Sequence, residues 1–181
     1  IPEDGTAFNG RKAGHTFNIN GHGSGSSAEN LTINAGDGND TVTVGAGDVN
    51  ATSFGDIVVN GQGGIDAMNI DDTTDAVGET WTITNVAVTA NDWGVNSLGY
   101  GTIEDFRLDA SGVGNTITVN STAGTTDYRL NGNAGIDTLS VVGNNALSVI
   151  TLDGGTALDF VNVNTDAVGT AGRDAPQFGQ P

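Results

Sequence analysis

One fourteen-residue pattern recurs through this chain and leaves few folds open to it. It reads apolar-x-apolar, then Asn or Asp, then Gly or Ala, a short turn, an Asp or Asn, and x-apolar-x-apolar. Copies occupy 31–44 (LTINAGDGNDTVTV), 57–70, 106–119, 128–141 and 150–163, all of one length. Their starts fall 26, 49, 22 and 22 residues apart. The long gap holds a degenerate copy beginning at Trp81 (WTITNVAVT), and a partial copy at 17–23 opens the series. Alternation at period two puts Ile33, Val42, Val44, Val59, Met68, Ile70, Leu108, Ile117, Val119, Leu139, Val141, Leu152, Val161 and Val163 on one face. A single coil cannot bury such a face, but stacked coils can. The pattern predicts an all-β, single-domain parallel β-solenoid of about six coils with two main sheets. A sandwich would instead need hairpin signals between neighbouring strands. The coils are expected over 17–168 with an insertion loop at 90–101, between non-repeat tails or caps at 1–16 and 169–181.

The charge balance narrows the partners. Five Lys and Arg stand against 22 Asp and Glu, a net charge of −17. Such a surface repels nucleic acid and anionic membranes and attracts cations. The chain has no cysteine, which excludes disulfides, thiolate zinc sites and thiol catalysis. No apolar run reaches the roughly 20 residues of a membrane span. With its Asn, Thr and Gly richness, and Ile1 where an initiating Met would stand, the chain reads as a processed bacterial extracellular protein.

Stacked coils bring equivalent turn residues about 4.8 Å apart. The residue after the first strand forms one expected ladder: Asn20, Asn34, Asn60, Thr84, Asp109, Asn131 and Asp153. Asn tolerates the left-handed turn conformation and can hydrogen-bond along the axis. The residue before the second strand forms another: Asp40, Asp66, Asn115, Asp137 and Asp159. Two readings compete there. Each carboxylate accepts N–H bonds inside its own turn, or neighbouring carboxylates share a cation that offsets their repulsion. Carboxylate and carbonyl oxygens suit Ca²⁺.

The segment AGDGNDTVT at 35–43 resembles the RTX nonapeptide, G-G-x-G-x-D-x-U-x, in which U is a large apolar residue, with Ala35 at the first Gly. The copies from Gly61, Gly132 and Gly154 match in part, with Gln62, Asn133 and Ala157 at Gly positions, and the copy around Asn115 has Val113 at the third Gly. The resemblance implies solenoid topology and Ca²⁺ between coils. The implied ligands are Asp37, Asp40, Asp66, Asp137 and Asp159, foremost Asp37, Asp40 and Asp66. More loosely, the architecture is similar to repeat regions of large bacterial surface proteins and adhesins.

The ends carry basic residues on an acidic body. Ile1, Arg11 and Lys12 at one end, and Arg173 and Phe178 at the other, are candidate subunit contacts for head-to-tail assembly; the tails capping their own solenoid is the alternative. Trp93 and Tyr100 fall in the expected loop and are candidate glycan or protein contacts, unless they fold over the solenoid flank. Catalysis is not expected. Arg107 and Arg129 face outward and stack one coil apart, but outward acids are scarce beside them, and His15 and His22 lie at the other end. Outward Thr41/Thr43 and Thr116/Thr118 suit an ice-binding row, which Asn69 and Phe160 interrupt. The sequence therefore points to a non-catalytic, extracellular structural solenoid that polymerises with itself, with Ca²⁺ as a candidate stiffener. The alternative is an adhesin that binds surface glycans. Ice binding and polysaccharide cleavage rank below both.

Overall fold

A computed structural model describes residues 6–20, 30–51, 55–93 and 97–164. Ile1, His22, Arg173 and Phe178 lie outside the described residues, as does 165–181. The fold is a parallel β-solenoid with two sheets. One sheet stacks six strands in the order β2 (Thr16–Ile19), β4 (Thr41–Val44), β6 (Ala67–Asp71), β10 (Asp105–Asp109), β12 (Asp127–Asn131) and β14 (Ile150–Asp153). All its neighbours are parallel. The other has nine, in the spatial order β1 (Thr6–Asn9), β3 (Leu31–Asp37), β5 (Asp56–Gly63), β9 (Ser97–Gly101), β8 (Ala87–Ala90), β7 (Thr80–Ile83), β11 (Thr116–Val119), β13 (Thr138–Val141) and β15 (Phe160–Val163).

The inward faces form one continuous core. Val42, Val44, Val59, Met68, Ile70, Leu108, Ile117, Val119 and Leu139 are all at most 1% exposed. The alternation expected from sequence is kept along each strand, and β-branched residues suit the pleat. At the last rung it runs out of cover. Val161 and Val163 are 45% and 48% exposed, although they stack on the buried Leu139 and Val141.

Two expectations are corrected here. Part of the segment 1–16 is a rung, because β1 pairs in parallel with β3 through Thr6↔Leu31 to Asn9↔Asn34. The degenerate copy at Trp81 is not a coil, and 90–101 is not simply a loop. Strands β7 and β8 form an antiparallel hairpin, and β8 pairs antiparallel with β9. The chain thus makes an up-down-up meander inside the nine-stranded sheet, with β9 returning beside β5 and β11 later joining β7. Asn85 in the hairpin turn stands where the true copies have Gly or Ala, and Thr84 closes that turn by accepting the N–H of Ala87 at its Oγ1, 3.1 Å away.

The meander changes the phase of the coil. Before it, the short turns that end in Asp or Asn lead from the nine-stranded to the six-stranded sheet (β3 to β4, β5 to β6). After it, they lead from the six-stranded to the nine-stranded sheet (β10 to β11, β12 to β13, β14 to β15). Copies that look identical in sequence therefore sit on opposite edges.

Candidate functional site

The Asp column predicted from sequence is two columns. On the first edge, the N–H of His15 donates to Asp40 Oδ1 (2.5 Å), that of Asp40 to Asp66 Oδ1 (2.8 Å), and that of Asp66 to Glu104 Oε2 (2.9 Å). On the opposite edge the N–H of Glu79 donates to Asn115 Oδ1 (3.0 Å), that of Asn115 to Asp137 Oδ1 (2.6 Å), and that of Asp137 to Asp159 Oδ1 (2.9 Å). The acceptor always belongs to the coil that comes later along the axis. The bonds therefore join coils rather than closing each turn on itself. The contribution of Glu79 and Glu104 escaped the sequence pattern because each precedes the first strand of its copy, whereas the pattern places the acid before the second.

The second oxygens of Asp40, Asp66 and Asp137 are buried without a hydrogen-bond partner. Burial raises the pKa of Asp66 and Asp137, partly offset by the N–H bonds each accepts. These carboxylates pack over the first Gly of the turn: a Cβ on Gly132 would lie 2.6 Å from Asp137 Oδ2. The left-handed turn survives the loss of Gly elsewhere, since Gln62 (φ 74°) and Asn133 (φ 66°) adopt it as Gly36 and Gly155 do. The structure brings Asp40 beside Asp66 and Asp137 beside Asp159, on different edges. Asp37 ends β3 and is exposed, and it does not enter either column.

The Asn ladder divides in the same way. Asn34 Nδ2 donates to Asn9 Oδ1 (2.8 Å) and Asn60 Nδ2 to Asn34 Oδ1 (2.9 Å). Across the meander, Asn131 Nδ2 donates to Asp109 Oδ1 (3.3 Å), while Asp153 accepts Gly155 N–H in its own turn (3.0 Å). Thr84 belongs to the hairpin turn, and Asn20 is exposed at the end of β2.

A different acidic group is the densest. Ligand oxygens of Asp48, Asp72 and Asp75 all lie within 4.8 Å of one another. They come from the long turns after β4 and β6, on the edge opposite the RTX-like turns that follow β3 and β5. At such spacing each pair repels by roughly 3–4 kcal/mol at an effective dielectric of 20. Val49 N–H donates to Asp72 Oδ1 (3.1 Å), and Asn50 Nδ2 to Asp75 Oδ2 (2.6 Å). Glu79 lies against Asp72 and Asp75. Burial, then contact with Asp72, pushes the Glu79 carboxyl up, and burial does the same to Asp72. The cluster can coordinate a divalent cation. The sequence pattern missed it because its residues lie in turns that do not repeat.

Trp93 and Tyr100 are not exposed ring contacts. Trp93 is 8% exposed and packs on Trp81 with ring centroids 5.6 Å apart. Tyr100, on β9, points inward and shares a hydrogen bond with Tyr128 Oη (2.9 Å). Arg11 and Lys12 are exposed in the turn between β1 and β2. Arg107 and Arg129 do stack in register, but each is engaged by an acid, Arg107 with Asp109 (2.6 Å) and Arg129 with Asp105. The Thr rows also separate: Thr41/Thr43 face out from the six-stranded sheet and Thr116/Thr118 from the nine-stranded one. The latter join Thr80/Thr82 and Thr138/Ser140 in register across three rungs. Among the described residues no helix is long and apolar enough to cross a membrane. Comparison with known proteins finds no matching family, no matching curated protein and no matching solved structure.

Proposed function

We propose that the chain is a non-catalytic structural solenoid of the bacterial cell exterior, a unit of a filament or surface layer joined end to end. The observation that supports this most is that the last rung is left uncovered among the described residues. Val161 and Val163, which stack in register on the inward Leu139 and Val141, are 45% and 48% exposed there. Strand β15 ends the nine-stranded sheet and β1 begins it, in the same sense, so a further parallel strand continues the stack. Exposed strand edges of this kind invite pairing. The contact is heterologous and, unclosed, makes a fibre. Because the short turns lie on opposite edges at the two ends, their columns align across a junction only if neighbouring copies differ by about half a turn around the axis. Negative-stain microscopy with light scattering tests the reading. Filaments or sheets at rising protein concentration support it, and a strict monomer overturns it.

The Thr and Ser array favours a second reading, a face for ice. Its hydroxyls and methyls repeat at the interstrand spacing across three rungs, ending at Phe160/Asn162. Ice-recrystallisation inhibition that is lost on Thr82→Tyr and Thr118→Tyr would favour this face; wild-type chain without inhibition removes it.

A further inference from the structure

We propose that the two long turns after β4 and β6 form a site for one hard divalent cation of the calcium class, held by Asp48, Asp72 and Asp75, with Glu79 packed behind Asp72 and Asp75 from the buried side. Calcium–oxygen bonds of about 2.4 Å allow ligands on one ion to lie up to about 4.8 Å apart. The oxygens of Asp48, Asp72 and Asp75 meet that limit. Acidic clustering alone would not point to a ligand, but the polar atoms around it do. Glu79 is 1% exposed, its carboxyl abuts those of Asp72 and Asp75, and no N–H or hydroxyl donor reaches either of its oxygens. Asp72 is fully buried, with Oδ2 also lacking one. Asn50 places its amide nitrogen on Asp75 and leaves its carbonyl oxygen buried and unpartnered. Buried acceptors without donors are costly and rare in folded proteins. Four belong to residues in or touching this cluster, and all are oxygens, the donor set that suits calcium rather than a softer metal. Among the described residues, His15, Arg107 and Arg129 pair with Asp40, Asp109 and Asp105, leaving Asp72, Asp75 and Glu79 without a basic partner.

The location gives the ion a role. Asp48 belongs to the second coil, Asp72 and Asp75 to the third, and Glu79 immediately precedes β7. The N–H of Glu79 starts the column on the second edge by donating to Asn115. The ion would therefore brace the solenoid where the short turns change edges. This site is independent of the end-to-end assembly reading: a monomer can bind the ion, and a filament can lack it.

The test is isothermal titration of chelator-stripped full chain with CaCl₂, followed by thermal unfolding in calcium and in chelator. One saturable site per chain and a higher unfolding midpoint in calcium are expected. Asp72→Asn and Glu79→Gln should each weaken binding at least tenfold and abolish the calcium-dependent rise. These isosteric amides remove repelling charge and keep the shape, and circular dichroism verifies the fold. Asp37→Asn in the RTX-like turn should bind as wild type. No saturable binding by wild type overturns the proposal. So does wild-type affinity in both amide variants, or loss of the site in Asp37→Asn alone.

Discussion

Asp137 carries the logic of the columns in one side chain. Its Oδ1 receives the N–H and the amide of Asn115, while Oδ2 is buried without a partner. Asp137→Ala should cost about 1–3 kcal/mol by orphaning the Asn115 N–H, read in denaturant unfolding. Asp137→Asn keeps the acceptor, and Asn115 already occupies the equivalent position one coil earlier, so it should be tolerated. The pH sign follows from burial. The folded-state pKa of Asp137 lies above its unfolded value, so the folded chain holds this proton more tightly. That contribution favours folding most at low pH and is lost as pH rises from about 4 through the raised pKa. Asp137→Asn should flatten this part of the stability–pH curve; an unchanged slope would refute the assignment. Gln62 illustrates strain at the same scale, since its positive φ suits Gly. Gln62→Gly should raise stability by up to about 1 kcal/mol, measured by the same unfolding curves.

At the scale of elements, the meander is tied to the coils by Tyr100. Its hydroxyl donates to the Thr84 carbonyl in the hairpin turn and lies 2.9 Å from Tyr128 Oη, which in turn accepts the Ala123 N–H at 2.9 Å. The rings of Tyr100, Phe106 and Tyr128 pack in series, 5.5 and 5.2 Å between centroids. Tyr100→Phe should cost about 1–2 kcal/mol by leaving the Thr84 carbonyl unpaired, without changing the circular dichroism. Tyr100→Ala should cost about 3–5 kcal/mol as a core cavity. A Tyr100→Ala chain of undiminished stability would show that this ring does not pack as described.

At the scale of the whole molecule, stacking among the described residues is satisfied inside the solenoid and left open at its first and last rungs. The inward Val161 and Val163 are half exposed at the last rung, as is Phe8 in register with Ile33 at the first, and Leu158 and Phe160 add exposed apolar surface beside the last rung. If this end is the assembly surface, the paired change Leu158→Ser and Phe160→Ser should lower the light-scattering mass at a given concentration. It should shift the unfolding midpoint little, because both side chains are more than half exposed among the described residues. Equal association by this variant would move the contact elsewhere.

The repeat was legible from sequence, and with it the two sheets, six rungs and nearly every inward residue. Period-two alternation and turn chemistry are local properties, and the fourteen-residue copies carry both. The partners of each copy were not legible. Positions 31–44 and 106–119 share one template, yet the first runs from the nine-stranded to the six-stranded sheet and the second runs back. That reversal depends on where β7, β8 and β9 pair, which is a long-range choice no copy encodes. It divided one predicted Asp column into two, buried Trp93 and Tyr100, and aligned Thr80, Thr116 and Thr138. It also left Asp48, Asp72, Asp75 and Glu79 together at the crossover. Local pattern determined how each coil is made, and tertiary pairing decided which coils meet, because hydrogen bonds between strands join residues that are distant along the chain.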